Sequence, residues 1–236
     1  MARLRAMREA GELAVLLGAL VTIVLAIAFL VLAGNVLEGD TQKFDERMLA
    51  AMRRPGNPAL PIGPAWLRGA ALDITALGSA TVLGLAVFAV AGFLALQGAW
   101  RSALFVLAAS SGGWVINNVL KEVFGRPRPE IVPHLREVMT LSFPSGHALT
   151  SAVVYLTLGA LLMRIARRPL MKFYCMTIAM LATVLVGASR VYLGVHYPTD
   201  VLAGWLLGLT WALLCWLAER SLERRAGLKR ERAQAT

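Results

Sequence analysis

Charged residues are scarce in this sequence, and they are missing in long blocks. They make up 16% of the 236 residues, whereas a typical soluble domain carries about 25%. Five stretches of 17 to 27 residues contain no charged side chain, and a sixth, residues 138–163, contains no Asp, Glu, Lys or Arg. A helix needs about 20 apolar residues to cross a bilayer. The missing charge therefore argues against a soluble domain and predicts six membrane-spanning helices.

Cysteine and histidine are scarce as well, with two and three residues respectively. Cys175 and Cys215 fall within apolar stretches and form no CxxC pattern, which argues against a disulfide framework or a zinc site and favours a role as small apolar side chains. The acidic residues and histidines form no cluster with the spacing that Mg²⁺ or Zn²⁺ requires. No metal and no cofactor is therefore expected.

The predicted fold class is all-α, a six-transmembrane-helix bundle with a short interfacial helix between the first and second spans. Residues 1–236 are expected to form a single membrane domain. Its core comprises residues 74–218, and residues 1–12 and 219–236 are expected to be cytoplasmic tails. The predicted spans are residues 13–33, 74–96, 102–120, 146–165, 173–191 and 200–218.

The segment between the first two spans has a different character. In residues 42–54, Phe44, Met48 and Met52 recur every four residues among charged side chains, a pattern typical of a short helix that lies in the membrane interface. A short helix that caps the extramembrane face fits the pattern equally well. Residues 55–64, with four prolines and two glycines, resist helix formation and predict a turn-rich loop.

The sequence gives no indication of an oligomeric state. Gly204 and Gly208 form a GxxxG pattern in the last predicted span. Such a pattern allows two helices to approach closely. It predicts close packing within the bundle, with a dimer face as the alternative.

The net charge of +10 is distributed unevenly. With six spans both termini lie on one side of the membrane, and that side holds 14 of the 24 Lys and Arg residues. Basic residues favour the cytoplasmic side, so both termini are expected in the cytoplasm. Basic tails near anionic lipid account for the charge, and no motif typical of nucleic-acid binding accompanies it. The bilayer, and not a nucleic acid, is the expected partner.

Three polar clusters lie at the ends of predicted spans. Residues 121–129 follow the third span, residues 144–147 open the fourth, and residues 189–200 join the fifth and sixth. Connections from odd to even spans all emerge on one face of the membrane. The three clusters are therefore expected together on the face opposite the termini, which is the periplasmic or outer face.

The residue types in these clusters are those that bind phosphate. Lys121, Arg128 and Arg190 supply three cations, and arginine presents a planar fork of donors that matches phosphate oxygens. Ser145 and Gly146 fall where the fourth span begins, and free backbone N–H groups at a helix start favour an anion. Each residue alone also fits an ordinary role, as a cation near the membrane surface or as a helix cap. Together they predict a phosphate site.

Two histidines complete the predicted site. His196 is followed four residues later by Asp200, a spacing that brings the two side chains to one side of a helical turn. A carboxylate on one imidazole nitrogen fixes the tautomer and leaves the other nitrogen free to attack. His147 has no acidic residue nearby in the sequence. The two histidines suggest a nucleophile and a general acid.

The combined pattern resembles the signature of the type-2 phosphatidic acid phosphatase superfamily, which is K-x6-RP, then PSGH, then SR-x5-H-x3-D. Every signature position is filled between residues 121 and 200. Arg126-Pro127 is out of register, because only four residues separate Arg126 from Lys121. The matching residues are Lys121, Arg128, Pro129, Pro144, Ser145, Gly146, His147, Ser189, Arg190, His196 and Asp200.

The resemblance implies a metal-independent phosphatase in which His196 attacks phosphorus and forms a phosphohistidine, while Asp200 orients His196. It also implies that His147 protonates the leaving oxygen and then activates water. The superfamily includes soluble vanadate-dependent haloperoxidases, but the six predicted spans argue against that activity. The phosphate-binding residues that the resemblance implies are Lys121, Arg128, Ser145, Gly146 and Arg190.

Bacterial members of that superfamily act on undecaprenyl diphosphate, phosphatidylglycerophosphate, phosphatidic acid or lipid A phosphate. The resemblance therefore implies hydrolysis of a lipid phosphomonoester or diphosphate. A polyprenyl diphosphate such as undecaprenyl diphosphate is the first expectation, because no added domain suggests a larger head-group site. Phosphate transfer from one lipid to another is an alternative. A transporter or channel is the alternative from another class, but it would place polar residues near the middle of its spans.

Overall fold

The computed structural model describes residues 2–138 and 140–234, and it describes side chains for residues 11–138 and 140–224. The all-α prediction is confirmed, and the sheet found in the described residues is a two-stranded hairpin. The elements in chain order are α1 (Ala2–Glu38), α2 (Gln42–Ala51), β1 (Arg53–Arg54), β2 (Asn57–Pro61), α3 (Ala65–Ala76), α4 (Ala80–Leu96), α5 (Trp100–Phe124), α6 (Gly146–Ile165), α7 (Pro169–Tyr192) and α8 (Pro198–Gln234).

Five helices in the described residues are long and apolar enough to cross a membrane, and α3 with α4 supplies a sixth crossing if the bent pair forms one span. Helix α6 has the predicted bounds, whereas α1 and α8 continue into the predicted tails. Leu16, Leu20 and Ile27 of α1 are exposed, which suits contact with lipid. The prediction of a bundle of membrane helices is confirmed.

The second predicted span is wrong in one respect, because residues 74–96 do not form one continuous helix. Residues 77–79 separate α3 from α4, and the direction of the chain bends by 45° between the two helices. Ser79 is the N-cap of α4, and its Oγ accepts a hydrogen bond from the backbone N–H of Val82 at 3.3 Å. This cap favours a new helix start within the apolar stretch.

The predicted interface helix at residues 42–54 is shorter than expected. Arg53 and Arg54 belong to β1, which pairs with β2 in an antiparallel hairpin. Part of the predicted loop at residues 55–64 is therefore a strand. Gly56 has a φ of +79°, a left-handed conformation that glycine adopts without strain, and it allows the chain to turn sharply between the two strands.

Helix α6 packs against α5, α7 and α8. A Cβ on Gly204 would lie 2.7 Å from the Ser145 carbonyl oxygen, and one on Gly208 would lie 2.7 Å from the Leu149 carbonyl oxygen. The GxxxG pattern therefore serves close packing within the bundle, as predicted. It brings α8 against the N-terminus of α6, where the second polar cluster begins.

Two apolar clusters anchor the segments around that N-terminus. Phe143 is fully buried and packs against Phe29 and Phe124, with ring centroids 6.3 and 4.7 Å apart. Leu193 and Val195 are fully buried in a second cluster with α3. These contacts fix the loop that precedes α6 and the turn between α7 and α8, so the polar residues between them have defined positions.

Candidate active site

The three polar clusters come together at one end of the bundle, as the odd-to-even connections predict. Every predicted site residue occupies a helix end or the segment next to one. Lys121 lies in the last turn of α5, and Arg128 lies in the loop that follows. Ser145 is the N-cap of α6, which begins with Gly146 and His147. Arg190 lies in the last turn of α7, His196 in the turn that follows it, and Asp200 in the first turn of α8.

The imidazole of His196 lies between a cation and a carboxylate. Its Nε2 is 3.1 Å from Arg128 Nη1, and its Nδ1 is 3.4 Å from Asp200 Oδ2. Burial, and then the positive charges around the ring, hold the pKa of His196 well below its usual value of 6.5. The ring is therefore neutral at pH 7. The carboxylate favours the proton on Nδ1, which leaves Nε2 as the nitrogen that can attack.

Asp200 is fully buried and accepts hydrogen bonds on both carboxylate oxygens. Oδ1 accepts from Arg126 Nη1 at 2.6 Å. Oδ2, the oxygen that faces His196, accepts from the Ser142 hydroxyl and from the Tyr197 N–H, the latter at 2.9 Å. The carboxylate therefore has a fixed orientation toward the imidazole. Its separation from Nδ1 is long for a hydrogen bond, and such contacts commonly tighten when substrate binds.

Lys121, Arg128 and Arg190 bring three positive charges to the site, and none forms an ion pair with a carboxylate among the described side chains. Lys121 donates to the Leu141 carbonyl, and Arg190 donates to Thr75 Oγ1 at 3.0 Å. Burial lowers the pKa of Arg128 to about 10, so it stays protonated at pH 7. Lys121 and Arg190 are buried, and Arg128 is partly buried. Buried charges without a counter-ion are unfavourable, so a bound anion would stabilise this arrangement.

Several buried polar atoms in the same cluster have no hydrogen-bond partner in the described structure. They include Ser145 Oγ, His147 Nε2 and Arg190 Nε. The Ser145 side chain makes no capping bond, so its hydroxyl and the first N–H groups of α6 are available together. A Cβ on Gly146 would lie 3.0 Å from Asn117 Nδ2, so glycine suits this crowded helix start. The free hydroxyl and N–H donors lie beside cations without counter-ions among the described side chains, and phosphate oxygens accept hydrogen bonds from both kinds of group.

Sequence reasoning missed the residues that hold these groups in place. Ser142 and Arg126 bond to Asp200 from 58 and 74 residues away in the sequence, and Thr75 bonds to Arg190 from 115 residues away. No local spacing identifies such partners. For Ser142 the one available signal is its position just before the second cluster, and for Arg126 it is a second arginine beside Arg128.

A separate cavity of about 800 Å³ lies at the opposite end of the bundle. It opens between α1, α5, α6, α7 and α8, and its lining is mostly apolar, with Arg164, Lys172 and Arg220 among the polar residues. None of the predicted site residues lines it. The three polar clusters therefore lie away from this cavity, at the other end of the bundle.

The charge that gathers around His196 is positive, which suits an anion and opposes a cation. Within the described ranges, no group of three or more His, Cys, Asp or Glu side chains is arranged to hold a metal ion. Cys175 and Cys215 are free thiols. The arrangement can bind a phosphate group, present a neutral imidazole nitrogen to it and place a second histidine, His147, beside it.

Comparisons with known proteins identify the family and several relatives of this chain. Residues 99–224 match the family model of the PAP2 superfamily. Phosphatidylglycerophosphatase B of Bacillus subtilis is 36% identical over 190 residues, which are 78% of this chain and 88% of that protein. Undecaprenyl-diphosphatase of Sulfolobus acidocaldarius is 46% identical over 70 residues, which are 28% of each protein.

Two solved structures are similar in fold. The crystal structure of the transmembrane PAP2 type phosphatidylglycerolphosphate phosphatase from Bacillus subtilis matches with a TM-score of 0.75 and 33% identity, over 85% of this chain and 96% of that one. The crystal structure of Aquifex aeolicus LpxE matches with a TM-score of 0.54 and 26% identity, over 72% of this chain and 92% of that one. The helical membrane bundle is thus shared with these proteins.

Proposed function

The chain belongs to the PAP2 superfamily and is a membrane lipid phosphatase, and on that premise we propose that it cleaves its substrate through a phosphohistidine at His196 without a metal ion. The observation that carries the proposal is a neutral, buried imidazole among three cations that have no carboxylate counter-ion in the described part of the chain. A dianionic phosphate both neutralises the cations and offers phosphorus to Nε2.

The proposed reaction has two steps. In the first, His196 Nε2 attacks phosphorus, and the bond from phosphorus to the leaving oxygen breaks as His147, protonated beside the bound phosphate anion, donates its proton to that oxygen. In the second, His147 takes a proton from water, the water oxygen attacks phosphorus, and the N–P bond breaks to release inorganic phosphate. Asp200 stabilises the positive imidazole between the two steps. The phosphate oxygens are held by Lys121, Arg128, Arg190, Ser145 and Gly146.

Phosphatidylglycerophosphate is our first candidate for the substrate. The relative that matches over most of both chains is a phosphatidylglycerophosphatase, and the solved structure with the TM-score of 0.75 is named for the same lipid. The polyprenyl diphosphate expected from the sequence stays within the proposal as the second candidate, since undecaprenyl-diphosphatase of Sulfolobus acidocaldarius matches over 28% of this chain.

The proposal is tested by phosphate release from purified lipids in detergent, measured in the presence of EDTA. The panel contains phosphatidylglycerophosphate, undecaprenyl diphosphate, phosphatidic acid and lipid A phosphate. We expect release from at least one of them at the same rate with and without chelator, because the site binds phosphate with organic cations. Loss of all activity in EDTA that Mg²⁺ restores would show that the metal-free mechanism is wrong.

We also propose that both termini lie in the cytoplasm and that the site opens on the outer face of the cytoplasmic membrane. The support is the excess of Lys and Arg on the side of the termini, with 14 of the 24 such residues. Single cysteines replace Glu130 and Arg224, both exposed, in a variant whose Cys175 and Cys215 are serine. We expect an impermeant thiol reagent to label position 130 in intact cells and position 224 only after lysis. The reverse pattern contradicts this orientation.

A further inference from the structure

Arg126 lies between two buried carboxylates. Its Nη1 is 2.6 Å from Asp200 Oδ1 and its Nη2 is 2.8 Å from Asp45 Oδ2. The guanidinium also lies over the ring of Tyr197, with Cζ 4.2 Å from the ring centroid. Burial opposes the charge of Arg126, but the two carboxylates outweigh burial and raise its pKa. The guanidinium is therefore the counter-ion of Asp200 and joins that residue to Asp45.

Asp45 comes from a distant part of the chain, the buried face of α2. Its Oδ1 accepts from the Thr199 N–H at 3.0 Å, and its Oδ2 accepts from the Thr199 hydroxyl at 2.5 Å. The Thr199 hydroxyl oxygen in turn accepts from Arg126 Nη1 at 2.9 Å. Since Thr199 directly precedes Asp200, Asp45 holds both the backbone next to Asp200 and the counter-ion of its carboxylate.

We propose that Arg126 and Asp45 are positioning residues for the reaction, because they hold the Asp200 carboxylate in the plane that directs Oδ2 toward His196. A carboxylate is fixed when both of its oxygens are bonded. Among the described side chains, Arg126 is the donor to Oδ1. Without it, a buried anionic oxygen has no partner, which is strongly unfavourable. The carboxylate then turns or takes up a proton, and in either case His196 Nδ1 loses the anionic oxygen that orients the ring.

The neighbouring face of α2 gives this arrangement a further consequence. Phe44 and Met48 are 54% and 38% exposed, and an apolar face of this kind suits the membrane surface. Helix α2 therefore reaches both the lipid surface and, through Asp45, the first turn of α8. The position of this helix and the orientation of Asp200 are coupled through one buried ion-pair network.

The positioning role has a distinct kinetic signature. Within the described residues, the hydrogen bonds of the Arg126 side chain go to Asp200, Asp45, Thr199 and Gln42, and none goes to a predicted phosphate-binding residue. Removal of Arg126 should therefore leave phosphate binding intact and slow the attack by His196. We expect kcat to fall, while KM and competitive inhibition by inorganic phosphate, which report binding of the phosphate group, are preserved.

The test uses the full chain, purified in detergent, with the lipid phosphate that the wild-type enzyme hydrolyses best. We expect Arg126→Gln to lower kcat by about 10²-fold, the effect of a displaced catalytic group. Asp45→Asn keeps the side-chain shape but removes the charge, and it should also lower kcat, by a smaller factor than Arg126→Gln. The double variant should be no slower than Arg126→Gln, because both residues act through one network.

Arg164→Gln is the matched control. Arg164 forms a two-pronged ion pair with Glu219, at 2.8 and 2.6 Å, at the other end of the bundle, and its loss should leave kcat unchanged. A folded Arg126→Gln enzyme with wild-type kcat, or with a change in KM alone, overturns the inference. If that variant does not fold, Asp45→Asn decides by the same criteria.

The inference rests on the proposed function, since Asp200 needs a fixed orientation only if His196 is the nucleophile. The two fail in different ways. A wild-type enzyme that releases no phosphate from any lipid contradicts the proposed function. An active wild-type enzyme whose Arg126→Gln variant is equally fast contradicts only the positioning role.

Discussion

Replacing His196 with alanine is expected to lower the rate of phosphate release by at least about 10⁴-fold, as removal of a covalent nucleophile does in other enzymes. The reason is the environment of the ring. His196 is neutral, buried and oriented by Asp200, whereas the groups around it are mainly cations that cannot attack phosphorus. The measurement is kcat for the purified variant with the preferred lipid phosphate.

His134 provides the matched control for this prediction. It lies in the loop before α6, where its Nε2 is 2.6 Å from the Pro129 carbonyl oxygen, and its side chain is exposed. His134→Ala should retain a rate within a few-fold of the wild-type enzyme. A His196→Ala enzyme that stays folded and keeps more than about a tenth of the wild-type rate would show that another group attacks phosphorus.

Replacing His147 with alanine is expected to slow hydrolysis of a lipid phosphate by about 10²–10⁴-fold, the usual contribution of a general acid or base. His147 opens α6 beside Ser145, and its buried Nε2 has no hydrogen-bond partner in the described structure. When the ring is protonated beside a bound phosphate anion, this nitrogen can donate its proton to a leaving oxygen. An alkoxide leaving group needs that proton, whereas the phenolate of an acidic phenol leaves without it.

The leaving group separates this role from a structural one. For an aryl phosphate with a good leaving group, the loss in His147→Ala should be much smaller than for the lipid, since the first step no longer needs protonation. The comparison is the ratio of kcat/KM between wild-type and variant for the two substrates. Equal losses for both would contradict the assignment of His147 as the general acid in the first step.

The membrane helices were accessible from the sequence because charge is absent in blocks of the right length. The bend between α3 and α4 was not accessible, because residues 74–100 contain no charge and hydropathy stays high through the break. What ends α3 is local chemistry, with Ser79 capping a new helix. The hairpin after α2 was hidden in the same way, since its prolines and glycines predict a turn but not a pair of strands.

The predicted site residues were accessible because charged and polar residues at the ends of apolar stretches are few. Their supports were not. Asp45 reaches Arg126 across 81 residues of sequence, and the carboxylate appears in the sequence only as one polar residue of an amphipathic helix. Its partner is determined by how α2 packs on the first turn of α8, and that packing depends on tertiary structure.

The cluster of buried cations also explains how one site can serve both steps of the proposed reaction. Lys121, Arg128 and Arg190 have no carboxylate partners among the described side chains, so they remain available to the phosphoryl group while it moves between oxygen and nitrogen. Asp200 is already paired with Arg126 and does not compete for them. The site therefore separates the charges that bind phosphate from the charge that orients the nucleophile.

The most direct test of the central claim is to trap the phosphoenzyme with radiolabelled lipid phosphate and rapid quenching. A phosphohistidine is labile in acid and stable in base, unlike a phosphoserine. We predict an acid-labile label on the wild-type enzyme and none on His196→Ala. With a radiolabelled aryl phosphate, whose first step needs no proton from His147, we predict an increased amount of label on His147→Ala because the second step lacks its base. An acid-labile label that persists in His196→Ala would contradict the assignment of the nucleophile.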